Sequence, residues 1–211
     1  NGAFVFNYGN KSFSELKTPE RLYGGAIDKE NTYWVFSRYA LYRFNRNKEQ
    51  IATYPVTPDF LASTISYIMT DKQGRLMIGT FENGIFTYDK KNEEFIQLEV
   101  CKKAKMYYVR TIEETKSENE YWVGTESGLY IINTKTNRFE HYTQSFDSRH
   151  RTINDNAIYK IYRNKQGVFF AGTYFGGVNI ANTWDIGFNA ILPENAPGRL
   201  QGKAISMMAE A

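Results

Sequence analysis

A short phrase recurs along the chain every 43 to 48 residues. It stands as Gly167-Val-Phe-Phe-Ala-Gly-Thr173 with Tyr-Phe-Gly-Gly-Val178, and as Gly74-Arg-Leu-Met-Ile-Gly-Thr80 with Phe-Glu-Asn-Gly-Ile85. A third copy reads Glu120-Tyr-Trp-Val-Gly-Thr125 with Glu-Ser-Gly-Leu129, and a degenerate one Thr32-Tyr-Trp-Val-Phe-Ser37 with Arg-Tyr-Ala-Leu41. Gly79 to Gly124 is 45 residues, Gly124 to Gly172 is 48, and Phe36, in the glycine position of the weak copy, lies 43 before Gly79. Periods of about 40–50 residues belong to propellers and to helical or kelch-like arrays, and the content of the period decides between them.

Each period holds four short apolar segments. The first is Ile65-Ser-Tyr-Ile-Met69, Val109-Arg-Thr-Ile112 or Ile158-Tyr-Lys-Ile-Tyr162. Its apolar residues sit three apart or alternate, so periodicity leaves strand or helix open; the length and the β-branched and aromatic content favour a strand. Turns with Asx and Gly follow, as Asp71-Lys-Gln-Gly74 and Asn164-Lys-Gln-Gly167. The second segment (Leu76–Ile78, Tyr121–Val123, Val168–Ala171) is apolar on both faces, as a strand between two neighbouring sheets must be. The glycine that ends it marks a bend or a close approach by another backbone. A third and a fourth segment complete the period, and no amphipathic stretch of helical length is found. Four antiparallel strands per period make an all-β fold of β-propeller blades.

Four complete blades are expected near 22–54, 65–98, 109–142 and 158–182. Residues 1–16 read as the outer strands of a preceding blade, and 203–211, beginning Lys203-Ala-Ile-Ser-Met-Met208, as the first strand of the next. The link from Asp185 to Lys203 contains Pro193, Pro197, Gly198 and Gly202, which rules out a strand there. Because a propeller protects its edges by closing, the expectation is a slice of a larger, seven-bladed ring.

Composition narrows the function. The 211 residues carry 16 Tyr and 15 Phe, an aromatic excess that suits pleated surfaces, and a net charge of +3 spread along the chain. No clustered basic face marks a nucleic-acid binder. Cys101 is the only cysteine, in the lysine-rich link Cys-Lys-Lys-Ala-Lys, so there is no disulfide framework and no metal-type spacing. The two histidines, His141 in a fourth strand and His150 in the charged loop Asp147–Arg151, show no triad or metal spacing. No cofactor or metal is implied, and Gly24-Gly25 and Gly176-Gly177 lack the Lys-Ser/Thr of a phosphate loop.

The repeats resemble the regulator-propeller repeats in the periplasmic sensor regions of hybrid two-component histidine kinases of Bacteroides type. The resemblance rests on the lead Thr152-Ile-Asn-Asp-Asn-Ala-Ile158, the turn Asp71–Gly74, and the core Trp122-Val-Gly-Thr125 with Gly128-Leu129 or Gly172-Thr173 with Gly176-Gly177. The motif residues are Gly79, Thr80, Gly124, Thr125, Gly172 and Thr173. Departures are Phe36-Ser37 for Gly-Thr, and Thr115–Glu120 in place of the tight turn. The resemblance implies a periplasmic, non-catalytic input module of a membrane-bound kinase that responds to oligosaccharides and controls polysaccharide-utilisation genes. Its partners would be the remaining propeller, downstream periplasmic domains and a second copy of the parent, with no nucleic acid.

Loops at one end of a rigid ring concentrate binding residues. The loops after the Gly-Thr step therefore give the ligand-binding candidates Arg38, Tyr39, Phe81, Glu82, Asn83, Glu126, Tyr174 and Phe175, aromatic and polar groups suited to sugar rings. Two further readings stay open. Glu82 and Glu126 occupy equivalent loops and make an acid–base pair conceivable for a propeller glycosidase or lyase. A passive interaction scaffold is the third.

Overall fold

The computed structural model describes residues 2–57, 64–145, 152–182 and 185–191. A two-stranded hairpin, β1 (Gly2–Asn7) and β2 (Ser12–Lys17), comes first. Four antiparallel four-stranded meanders follow in sequence order. The first holds β3 (Leu22–Ile27), β4 (Tyr33–Ser37), β5 (Ala40–Phe44) and β6 (Gln50–Pro55). The second holds β7 (Ile65–Thr70), β8 (Leu76–Thr80), β9 (Ile85–Asp89) and β10 (Glu94–Gln97). After the helix α1 (Glu99–Ala104), the third holds β11 (Val109–Glu114), β12 (Glu120–Thr125), β13 (Gly128–Asn133) and β14 (Arg138–Tyr142). The fourth holds β15 (Ile158–Arg163), β16 (Phe169–Thr173), β17 (Val178–Asn182) and β18 (Asp185–Ile191). Contacts divide the chain into two units, Asn1–Gln97 and Leu98–Ala211.

Burial grades across each sheet. The second strands are covered on both faces, as in β8 and β12, whereas β10 alternates exposed and half-buried positions and β14 leaves most of its positions exposed. In the first unit the facing sides of two sheets bury Trp34, Phe36, Leu41, Ile65, Ile68, Leu76, Ile78, Phe86 and Tyr88. The hairpin places Leu16, Ala3 and Val5 against Val35, Tyr42 and Phe44 on the other side of the first sheet. In the second unit Trp122, Leu129, Ile153, Ile158, Ile161 and Phe169 do the same, with the Trp122 and Phe169 rings stacked at 4.1 Å.

Two sequence expectations are corrected. The link after residue 182 is not devoid of strand: Asp185–Ile191 pairs with β17 and completes the fourth sheet, because the prolines of that link begin only at Pro193. The lysine-rich link holding Cys101, where no stretch of helical length is expected, is a short helix. It forms α1, which buries Val100, Cys101 and Ala104 and exposes Lys102 and Lys103, a single-faced pattern too short to register as a period. Residues 203–211 lie outside the described residues.

Every first strand carries a β-bulge at the same place, between Leu22 and Gly24, Ile65 and Tyr67, Val109 and Thr111, and Ile158 and Lys160. An extra residue shifts the pleat by one, so residues three apart both face inward. Ile65 with Ile68, and Ile158 with Ile161, are buried for this reason. Opposite the bulge, the motif glycines leave room for neighbours. A methyl on Gly124 would lie 2.6 Å from Cγ2 of Ile158 and 2.7 Å from Cγ2 of Thr111. The close approach is by side chains rather than by backbone. In the first sheet the exchange is reversed, since Gly24 lies opposite Phe36 and its missing side chain makes space for that ring.

The turns between first and second strands are closed by a side chain. Oδ1 of Asp71 accepts the Arg75 N–H at 2.8 Å, and Oδ1 of Asn164 accepts the Val168 N–H at 2.8 Å. Asp28 does the same for Glu30 and Thr32. Burial disfavours its charge, but the Thr32 N–H, the Trp34 indole, the Glu30 N–H and the Lys90 ammonium outweigh that and hold the Asp28 carboxyl below the usual carboxylate range.

Gly124→Ala should lower unfolding stability in urea by about 1–3 kcal/mol through overpacking. A group with a depressed folded pKa contributes stability above its unfolded value and loses it as pH falls through the folded one. The stability deficit of Asp28→Asn should accordingly be full above about pH 4 and shrink at lower pH, as measured by urea titration across pH.

Candidate functional site

The turns after the second strands are built alike. The Thr80 hydroxyl donates to the Gly84 carbonyl at 2.9 Å and accepts the Asn83 N–H at 3.1 Å. Thr125 donates to the Gly128 carbonyl at 2.8 Å and accepts from Ser127, and Thr173 donates to the Gly177 carbonyl at 3.0 Å and accepts from Gly176. Ser37 accepts the Tyr39 and Ala40 N–H groups, so the degenerate copy keeps the hydroxyl. Each hydroxyl is buried. Satisfying both turn groups from one buried oxygen fixes the backbone and pushes the tip residues outward.

Those tips carry the sequence candidates. In the first unit Tyr39 is 63% exposed with the Arg38 guanidinium 5.9 Å from its ring. Phe81 and Glu82 are exposed on the β8–β9 turn, and the Asn83 carbonyl accepts the Gln97 amide at 2.7 Å. In the second unit Tyr174 and Phe175 are exposed on the β16–β17 turn, their rings edge to face at 4.2 Å.

The second unit extends these two into a column. Tyr174 stacks on Tyr159 at 5.0 Å; Tyr159 and Tyr108 sandwich the Arg110 guanidinium at 3.9 Å on either side. Nε and Nη2 of Arg110 both reach Oε1 of Glu126. Glu126 is thus an ion-paired turn residue that fixes the guanidinium between two rings. Burial pushes the Tyr159 phenol upward, opposed by the Arg110 charge. Tyr108 takes a left-handed backbone, φ 50°, unusual for a bulky residue and costing about 1–2 kcal/mol. Residues held in such strain collect at binding and catalytic sites.

Arg110 and Tyr159 are the extra residues of their bulges, set between Val109 and Thr111 and between Ile158 and Lys160. The bulge turns these side chains off the core face and toward the turn tips. The sequence reading missed them, together with Tyr108, although the three-residue apolar spacing was the visible trace of the bulge.

A polar clasp holds the aromatic tip. Asn154 and the fully buried Asn179 exchange hydrogen bonds at 3.0 and 2.7 Å, and the Asn154 amide also donates to the Gly176 carbonyl. The Asp155 carboxylate accepts the Phe175 N–H at 2.8 Å. His141 stacks on Tyr130 at 3.9 Å with Nε2 2.8 Å from the Ser127 carbonyl, a supporting role for the neighbouring turn. His150 lies outside the described residues. Among those described, no group of His, Cys, Asp and Glu could hold a metal ion.

Blades of four antiparallel strands with stapled turns define a β-propeller architecture. No protein-family model matches the chain, and no curated protein matches it. Among solved structures it is similar to the extracellular domain of the hybrid two-component system BT4673 from B. thetaiotaomicron, with a TM-score of 0.74 at 20% identity over 98% of this chain and 27% of that one. The extracellular domain of BT3049 from the same bacterium gives 0.65 at 23% identity over 83% and 23%. Virginiamycin B lyase from Staphylococcus aureus gives 0.63 at 12% identity over 92% and 63%. These identities establish a shared fold, and the chain spans about a quarter of the length of the two-component structures.

Asp155→Ala should release the tip without disturbing the sheet. Amide exchange at Phe175 should accelerate at least tenfold, about 1.4 kcal/mol, while Ala171 and Gly172 keep their protection. Equal acceleration at all three would assign Asp155 to the sheet instead.

Proposed function

We propose that the chain is part of the extracytoplasmic signal-input propeller of a hybrid two-component sensor, located in the periplasm and without catalysis of its own. Near-complete coverage by an extracellular sensor domain supports the setting. The column that ends in the exposed rings of Tyr174 and Phe175 supports a binding role, and it is the observation on which the proposal turns. Flat rings edged by Arg110 and Glu126 suit a sugar ring, which offers an apolar face bordered by hydroxyls, so the ligand class is an oligosaccharide. The remaining propeller, downstream periplasmic domains and a second copy of the parent complete the receptor. Its kinase output controls polysaccharide-utilisation genes. Binding conveys a signal only if the ligand prefers one of two arrangements of that assembly.

The glycosidase or lyase reading is weaker here. Glu126 is committed to Arg110, so it is poorly placed to exchange a proton with a substrate.

Calorimetric titration with an oligosaccharide panel should give saturable binding with the sugar recovered intact. Tyr174→Ala with Phe175→Ala should weaken it at least tenfold, in line with the loss of two stacking rings, with the unfolding midpoint unchanged. Cleaved sugar would transfer the proposal to an enzyme, and Glu82→Gln or Glu126→Gln would then abolish turnover.

A further inference from the structure

The first unit has a concavity at the opposite ends of its sheets, where the β3–β4, β7–β8 and β9–β10 turns meet. It is a cleft of about 220 Å³ lined by Asp28, Trp34, Gln73, Arg75, Tyr88 and Lys90, among others. The volume equals roughly seven water molecules, below the ~300 Å³ of drug-sized pockets, so an occupant is small.

The Asp28 carboxylate lies at the cleft with its side chain 2% exposed. Oδ1 is satisfied by two backbone N–H groups, at 2.9 and 3.0 Å. Oδ2 is not equally served: its nearest donors are the Trp34 indole N–H at 3.3 Å and the Lys90 ammonium at 3.7 Å, one long and one beyond bonding distance. The equivalent turn in the next sheet shows what full service looks like, since Oδ2 of Asp71 receives Nε of Arg75 at 2.6 Å. A buried carboxylate oxygen with spare acceptor capacity therefore borders a cleft large enough for a donor to reach it.

The ion pairs around the cleft cancel and leave one net negative charge, on Asp28. Lys90 is paired to Glu30 at 2.8 Å and Arg75 to Asp71, leaving Asp28 beside the partly shared Lys90. An anion meets the Asp28 carboxylate, and a cation meets Lys90 and Arg75. A hydroxyl group meets neither penalty. Adjacent hydroxyls can donate to Oδ2 of Asp28 and accept from Lys90, while Trp34 and Tyr88 offer apolar edges to C–H groups. We infer that this cleft is a second binding site, for a compact uncharged polyol no larger than a monosaccharide, with Asp28 as hydrogen-bond acceptor and Lys90 as donor. It is independent of the aromatic column in the second unit.

The test is ¹H–¹⁵N spectroscopy of the chain titrated separately with D-glucose, D-xylose, glycerol, acetate and ammonium. The Trp34 indole resonance, assigned through Asp28→Asn, should shift saturably with at least one polyol and not with either ion, while that of Trp122 stays in place. Asp28→Asn, which keeps a turn-capping oxygen, should weaken the response at least tenfold; Lys90→Met should weaken it several-fold, and Tyr174→Ala should leave it unchanged. Absence of saturation with every polyol overturns the inference, as does saturation by acetate or ammonium alone. An undiminished response in Lys90→Met overturns it too, and serves where Asp28→Asn fails to fold.

Discussion

The structure depends on one buried hydroxyl repeated in each four-stranded sheet. At the end of each second strand the side-chain oxygen of Ser37, Thr80, Thr125 or Thr173 accepts an N–H from the turn that follows. It also donates to the carbonyl at the start of the third strand, at 2.8–3.0 Å in the threonine copies and 3.4 Å from Ser37. An unpaired buried amide or carbonyl would cost about 1–3 kcal/mol. Closing both within four or five residues lets a strand that is covered on both faces reverse direction at the surface. The tips that carry Tyr39, Phe81, Glu126 and Tyr174 are rigid because of it.

Much of the architecture was legible because the repeat stated it several times. The degenerate copy shows where text and physics part. Phe36 breaks the Gly-Thr phrase, yet the requirement is for one small residue in a cross-strand pair, and Gly24 supplies it from the other strand. A pattern read along one strand cannot see an exchange across two. Ser37 for Thr is the milder substitution, since the hydroxyl survives.

The site was legible only in part, for a geometric reason. The tip residues could be named because they follow the motif directly. Arg110 and Tyr159 could not, because a first strand with apolar residues three apart reads as strand or helix until the bulge is known. The inserted residue reconciles a strand with that spacing. Tyr108 needs a left-handed backbone that nothing in the sequence announces. The missed fourth strand, Asp185–Ile191, precedes the prolines that argued against it, and the missed helix α1 spans less than two turns.

The stapled turn also separates what must be kept from what can vary. Its hydrogen bonds to the turn run between a threonine or serine side chain and main-chain groups; in the third blade the Ser127 hydroxyl adds a contact to Thr125 Oγ1 at 3.2 Å, but the main-chain bonds form without the tip side chains. Tips can therefore diverge as interchangeable cassettes on a fixed frame, Arg-Tyr in one blade, Phe-Glu-Asn, Glu-Ser or Tyr-Phe in the others. Such a frame can carry new recognition surfaces through mutation without refolding, which fits a chain that keeps a TM-score of 0.74 to its neighbour at 20% identity.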